Sequence, residues 1–98
     1  MKLEELKTYR DEIIAIANKY HAPNIRVFGS VARGETTTES DVDFLIDVSS
    51  EQTLFDLIRL TRSLKELLKC EVDVAQSTVL HPRIRSKVLE DAISLESL

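Results

Sequence analysis

The chain has 98 residues and a formal net charge of −4, with 43% hydrophobic and 31% charged residues. This length allows one domain, which we expect to span residues 1–98, and the composition argues against an intrinsically disordered chain. The acidic charge also argues against a surface that tracks a nucleic-acid backbone, so we expect no stable direct binding to nucleic acid.

The N-terminus has no apolar run of signal-peptide type, and no segment is long enough to span a bilayer. Cys70 is the only cysteine, so no intramolecular disulfide can form. A lone thiol in a chain that otherwise avoids cysteine is typical of a reducing compartment, and we interpret it as a small core residue. We therefore expect a cytoplasmic protein that does not contact a membrane.

The chain up to residue 40 predicts a long helix, a strand and a short helix. Apolar residues recur at helical spacing over residues 3–20, which indicates an amphipathic helix. Pro23 and Asn24 end that pattern, and the β-branched and aromatic run at 25–28 indicates a strand. Gly29-Ser30 then favours a tight turn into a short helix, and residues 35–40 form a polar loop.

The remainder of the chain predicts two more strands and two more helices. The run at 42–48 is the strongest strand signal, and a second amphipathic helix follows over 54–68. A strand is expected over 71–75 and a helix over 80–95, entered at His81-Pro82, with Ile84, Val88 and Ala92 facing inward. This order predicts an α/β (α+β) fold, in which helices flank a small mixed sheet of about three strands.

Asp41, directly before the strand at 42–48, and Asp43 within it point the same way, because alternate side chains of an extended chain share a face. Two carboxylates this close repel one another when they leave water, and a divalent cation relieves that cost. Mg²⁺ suits such a site, since one or two carboxylates hold it and phosphates and water complete its shell. If the strand at 71–75 lies alongside, Asp73 faces the same site. Three carboxylates could then hold two metal ions, with Asp73 as the general base or as a metal ligand beside the attacking hydroxyl.

Gly29, Ser30 and Arg33 are the candidate phosphate-binding residues. Glycine lets the backbone approach a phosphate closely, and amides at the start of a short helix point toward it. The Ser30 hydroxyl adds a donor, and Arg33, one turn further on, can reach the same anion. An alternative interpretation of Arg33 is a surface arginine that pairs with Glu35 or Glu39.

These motifs resemble those of the DNA polymerase beta-type nucleotidyltransferases. The matching positions are Gly29-Ser30-x-Ala32-Arg33-Gly34, then Ser40-Asp41-x-Asp43, then Asp73. Within that superfamily the chain is most similar to the minimal nucleotidyltransferase (MNT) domains that accompany HEPN-domain proteins. The likeness covers nearly the whole chain and implies the nucleotidyltransferase fold.

The resemblance implies that Asp41, Asp43 and Asp73 bind Mg²⁺, most simply two ions, and that Gly29 and Ser30 hold the triphosphate of ATP. It also implies a partner, because such domains act as antitoxins against HEPN-domain ribonuclease toxins. The expected reaction is transfer of AMP from ATP to a tyrosine hydroxyl of the toxin, within a hetero-oligomeric complex.

Two other functions stay open on the sequence. The domain could be a binding module that inhibits a toxin by covering it, with catalysis slow or lost. It could instead transfer a nucleotide to a small molecule, although no acceptor-binding domain is evident beside residues 1–98.

Several other polar residues receive structural or surface roles. We expect Asp47 to be solvated, Ser40 to cap a turn, and His21 and His81 to be structural, because the two histidines lack the spacing of zinc ligands. Basic groups away from the apolar stripes of their helices mostly solvate a face, but could also meet an acidic partner or nucleotide phosphates. These are Arg59, Arg62, Lys69, Arg83, Arg85 and Lys87.

Overall fold

The computed structural model describes residues 1–35 and 41–98. Expected roles for Ser40 and Glu39 therefore lie outside the described residues. Five helices and four strands follow in the order α1 (Leu3–Thr8), α2 (Arg10–Lys19), β1 (Arg26–Phe28), α3 (Ser30–Arg33), β2 (Val42–Ile46), α4 (Leu54–Leu68), β3 (Val72–Gln76), α5 (Pro82–Asp91) and β4 (Ile93–Ser94), with 3-10 turns at Ser77–Val79 and Leu95–Ser97.

The sheet is mixed and has the strand order β3-β2-β1-β4. Strands β2 and β3 are parallel and are joined by α4, whereas β1 is antiparallel to both β2 and β4. The described residues thus form the mixed sheet flanked by helices that the sequence predicts. A fourth strand is present in addition to the three expected.

The fourth strand comes from the end of the predicted last helix, so the expectation of one helix over 80–95 was wrong. The backbone turns extended at Ala92, and Ile93 then pairs with Val27 of β1. The Leu95 amide donates to the Ile25 carbonyl at 3.1 Å, and the Leu95 side chain is completely buried. Hydrogen bonding to the open edge of β1 and burial of Leu95 outweigh the helical periodicity.

The predicted first helix is divided at Tyr9, where the backbone leaves helical geometry. Leu6 is buried on α1, and Ile13 and Ala17 are buried on α2. The apolar spacing continues across the interruption, which explains why it predicts one helix over 3–20. The break keeps the two short helices on the same core.

The core lies on the face of the sheet that packs against α2 and α4. Val42, Phe44 and Ile46 of β2 point into it and are completely buried, as are Leu60 and Leu64 of α4. Helix α4 begins with a reciprocal cap, in which the Asp56 amide donates to Thr53 Oγ1 and the Thr53 amide donates to the Asp56 carboxylate. The opposite face of β2 is left to Asp43, Leu45 and the site described below.

Helix α5 packs more loosely than the sequence predicts. Ile84 was expected to face inward but is 52% exposed, while Val88 and Ala92 are only half-buried. The strand predicted over 42–48 ends at Ile46, and Val48 beyond it is 51% exposed. Within residues 1–35 and 41–98, none of the helices has the length and apolar character needed to cross a membrane.

Candidate active site

Asp43 and Asp73 are direct neighbours on parallel strands. The register of β2 and β3 pairs them, with Val42 opposite Val72 on one side and Phe44 opposite Val74 on the other. Paired residues share a face of the sheet, and here it is the face away from the buried valines and Phe44. The structure thus places in register two carboxylates that lie thirty residues apart in the sequence.

Gly29 closes the other side of Asp43. The antiparallel register sets Phe28 opposite Asp43, and the chain turns at Gly29 with a φ of 74°. A Cβ atom at Gly29 would lie 2.6 Å from Asp43 Oδ2, which is too close for any real side chain. Glycine is required here both by the backbone conformation and by the approach of the carboxylate.

The electrostatics of Asp43 are those of an unneutralised acidic site. Partial burial raises the pKa of its carboxyl above the usual value, and the negative charges of Asp73 and Asp41 raise it further. Arg33 lowers the same pKa through its positive charge, but as the last of the contributions. A cation bound between the carboxylates would remove this repulsion.

The carboxylates fit a metal ion as a pair rather than as a complete triad. In the part of the chain that the structure describes, no three acidic, histidine or cysteine side chains are grouped closely enough to hold a metal ion. Asp41 precedes β2 and is exposed, although its charge reaches Asp43. Mg²⁺ needs only one or two carboxylates when phosphates and water complete its shell, so Asp43 and Asp73 suffice for a first ion.

Ser30 and Arg33 are the first and last residues of α3, which starts directly after Gly29. The Arg33 guanidinium donates to Glu35 Oε2 at 3.1 Å and to Asp91 Oδ2 at 3.4 Å. The surface ion pair with Glu35 is therefore formed, and a second one ties Arg33 to α5. While paired with Glu35 and Asp91, Arg33 is still close enough to lower the pKa of the Asp43 carboxyl.

An apolar recess next to Gly29 was not expected as part of a site. It has a volume of about 260 Å³, and Phe28, Ile84 and Val88 supply its apolar wall. Lys87 and Asp91 complete the α5 side of the recess. The helical spacing of Ile84 and Val88 was the available signal, but it predicts burial in a core rather than a half-open recess.

Asp47 is not simply solvated, which corrects the expectation from the sequence. Its carboxylate accepts hydrogen bonds from Asn24 at 3.0 Å, Arg26 at 2.6 Å and Ser77 at 3.1 Å. The hydrogen bond from Asn24 is the largest cause of its lowered pKa, and Ser77 and Arg26 act in the same direction. Asp47 joins the ends of three chain segments and takes no place beside Asp43.

The two histidines make local contacts and are not neighbours of Asp43 or Asp73. His81 caps α5, since its Nδ1 accepts from the Arg83 amide at 3.1 Å. His21 Nδ1 lies 3.3 Å from a carboxylate oxygen of Glu51. Cys70 is half-buried and packs against the core.

Comparisons with known proteins identify the family of the chain. Residues 11–97 match the polymerase beta nucleotidyltransferase family, and the chain belongs to that family. It is an enzyme of the nucleotidyltransferase class. MJ0435 of Methanocaldococcus jannaschii, assigned as a protein adenylyltransferase, is 35% identical over 95 residues, which cover 97% of this chain and 99% of that protein. The protein adenylyltransferase MntA of Thermococcus cleftensis is 33% identical over 78 residues, covering 80% and 79%.

Solved structures share the fold. A structure assigned as a minimal nucleotidyltransferase superposes with a TM-score of 0.85 at 41% identity and covers 95% of both chains. A toxin–antitoxin structure with AMP-PNP superposes with a TM-score of 0.74 at 19% identity, covering 88% of this chain and 71% of that one. At this lower identity the second likeness concerns the fold alone.

Proposed function

We propose that this chain is a Mg²⁺-dependent protein adenylyltransferase that acts as an antitoxin. It transfers AMP from ATP to a tyrosine hydroxyl of a partner HEPN-domain ribonuclease toxin and so neutralises the toxin. The observation that carries the proposal is the in-register pair of Asp43 and Asp73, with the Asp43 carboxylate packed against Gly29, which has no side chain of its own. The reaction takes place in the cytoplasm, where the toxin and ATP are both available.

In the proposed site, Asp43 and Asp73 would hold a first Mg²⁺ ion, and Asp41 would join them as a further ligand. The metal would neutralise the charge of the carboxylates and of the triphosphate. Gly29 and Ser30 approach the phosphates through their backbone, since Gly29 has no side chain of its own. Arg33 adds positive charge from the end of α3. The recess bounded by Phe28, Ile84 and Val88 adjoins the phosphate-binding turn.

The proposed reaction is an in-line displacement at the α-phosphorus of ATP. The acceptor oxygen forms a bond to the α-phosphorus, the bond to the oxygen that bridges to the β-phosphorus breaks, and pyrophosphate leaves. Asp73 lies at the edge of the sheet and is exposed, so it can accept the proton of the attacking hydroxyl. The chain thus provides a general base, a site for the cation, and a turn at Gly29-Ser30 that binds phosphate.

The toxin partner and the antitoxin role rest on similarity. The MntA relative is a protein adenylyltransferase, and a fold neighbour was solved as a toxin–antitoxin complex with the ATP analogue AMP-PNP. Tyrosine as acceptor and a HEPN-domain partner are carried from the resemblance of the Gly-Ser and Asp-x-Asp motifs. A tyrosine hydroxyl is a chemically suitable acceptor, because Asp73 can deprotonate it as it attacks.

The test is transfer of label from α-³²P-ATP, in the presence of Mg²⁺, to the product of the adjacent gene. Wild type should label a tyrosine of that protein, and Asp41→Asn/Asp43→Asn should lower labelling at least a thousandfold. Glu12→Gln/Glu90→Gln serves as the control, because it removes the same charge from two exposed positions away from the site. Loss of labelling in the control as well would show that net charge, not the site, is responsible.

Inhibition by occlusion is a second candidate because α4 exposes a large apolar patch. Leu54 is 71% exposed, Phe55 69% and Ile58 50%, on one helix. Under this alternative the toxin would be bound and inhibited by Asp41→Asn/Asp43→Asn as well as by wild type. Failure of the double variant to neutralise the toxin, while it still forms the complex, excludes occlusion as the sole mechanism.

A further inference from the structure

A groove lies between α4 and the outer strand β3. It has a volume of about 470 Å³, and Asp73 is one of the residues that line it. Strand β3 is the last strand of the sheet, so the backbone groups on its outer edge are not used in the sheet ladder. The groove therefore reaches, at the sheet edge, the residue that the proposed function assigns to the acceptor side.

The groove has an apolar wall and two basic side chains, which together suit an aromatic residue with acidic neighbours. Leu57, Ile58 and Val74 provide an apolar wall, and Ile58 is half exposed. Arg62 and Lys65 stand on the same helix and line the same groove. A flat ring can pack on the apolar wall while adjacent residues meet the two cations.

The charge of α4 opposes that of the chain as a whole. Residues 54–69 contain four basic residues and two acidic ones, a net charge of +2 in a chain of −4. Lys65 makes an ion pair with Glu71 at 3.4 Å. Among the ion pairs between described residues none involves Arg62, which is exposed. The groove thus presents positive charge to an incoming ligand.

We infer that this groove binds the acceptor polypeptide as an extended segment, in which a tyrosine is flanked by acidic residues. The inference rests on the proposed function and adds the recognition site for its substrate. The tyrosine ring lies against Leu57, Ile58 and Val74, its hydroxyl is directed at Asp73, and the acidic flank pairs with Arg62 and Lys65. Extended backbone can also add hydrogen bonds along the open edge of β3.

The experiment measures transfer of α-³²P-labelled AMP to three peptides of equal length. Their single tyrosine is flanked by glutamates, by glutamines or by lysines. Wild type should use the glutamate peptide at least tenfold better than the lysine peptide in kcat/KM. Arg62→Glu/Lys65→Glu should reverse that order, and Arg62→Gln/Lys65→Gln should reduce the preference mainly through the KM for the glutamate peptide.

The control is Lys7→Glu/Arg85→Glu, which makes the same change in net charge at two exposed positions outside the groove. It should retain the wild-type preference, and thermal melting of each variant reports whether it is folded. Equal use of the three peptides, no labelling of any peptide by wild type, or the same reversal in the control would overturn the inference.

Binding of MgATP, measured by calorimetry without peptide, tests the proposed function separately from the groove. Wild type and all three double variants should bind MgATP with the same affinity. If wild type binds MgATP but uses the three peptides equally, the groove is not the acceptor site, and the proposed nucleotide site stands. Failure of wild type to bind MgATP rejects the proposed function and the groove together.

Discussion

Gly29 leaves the space that the carboxylate of Asp43 occupies, since a Cβ at position 29 would lie 2.6 Å from Asp43 Oδ2. We expect Gly29→Ala to lower stability by about 2–3 kcal/mol, because the backbone at φ 74° and ψ −149° suits only glycine and the methyl group meets a carboxylate. The displaced Asp43 should also reduce transfer activity at least a hundredfold. Denaturant unfolding and AMP transfer measure the two effects.

Gly34→Ala is the matched control for this change. Gly34 has the same φ of 74°, but a Cβ there would meet no atom of the described residues within 4 Å. It should cost only about 1 kcal/mol, from the left-handed backbone, and leave activity within twofold of wild type. Equal loss of activity in both variants would contradict a role for the contact with Asp43.

Replacement of Asp43 should separate stability from function. The raised pKa means that the contribution of this group to stability is present below about pH 3.8 and is lost as the pH rises through the folded pKa. Asp43→Asn should therefore raise the melting temperature at neutral pH without metal. Addition of Mg²⁺ should stabilise wild type and have little effect on the variant. A variant that is less stable than wild type without metal would contradict the repulsion between carboxylates.

Asp47 should show the opposite dependence on pH. Its lowered pKa means that its contribution to stability is present above about pH 3.8 and is lost as the pH falls through the folded pKa. Asp47→Asn should cost about 1–2 kcal/mol at pH 7, because Arg26, only 14% exposed, loses its charged partner while Asp47 itself is partly solvated.

The measurement for Asp47 is unfolding at a series of pH values. The difference between wild type and Asp47→Asn should shrink below pH 4, where the wild-type carboxylate becomes protonated. MgATP binding by the variant should be unchanged at pH 7. A constant difference across the acid range would mean that packing, not charge, accounts for the loss.

Arg33 is expected to act on nucleotide binding more than on folding. Its partners Glu35 and Asp91 form surface ion pairs, so Arg33→Gln should change the stability of the fold little. If Arg33 reaches the triphosphate, the KM for ATP should rise about tenfold. Glu35→Gln is the control, since it breaks the same ion pair and should leave the KM for ATP unchanged or lower. A KM unchanged in Arg33→Gln assigns the residue to the surface.

Much of the fold follows from local patterns, and the active-site pair follows from one further assumption. Asp43 and Asp73 each lie between two apolar residues of a strand. Because the flanking valines and Phe44 face the core, each carboxylate must point to the opposite face. The sequence alone does not show that the two strands are neighbours in the sheet. In the structure α4 connects β2 to β3, the two strands pair in parallel, and Asp43 is in register with Asp73.

The departures from the sequence-based expectation arise where distant segments decide the outcome. Residues 93–94 join the sheet because β1 offers an open edge and Leu95 a place in the core. Asp47 is held by Asn24 and Ser77, which lie 23 and 30 residues away in the chain. Neither relationship has a periodicity that could be read from one segment.

Helix α5 has no fully buried residue, and the ion pair of Arg33 with Asp91 and the short strand β4 both hold it at its C-terminal end. A helix held in this way can separate from the sheet at little cost, because few apolar contacts are lost. Its amides should exchange with deuterium much faster than those of α4, whose Leu60 and Leu64 are completely buried. A nucleotide that fills the recess beside Gly29 would slow that exchange, which makes α5 the natural reporter of occupancy.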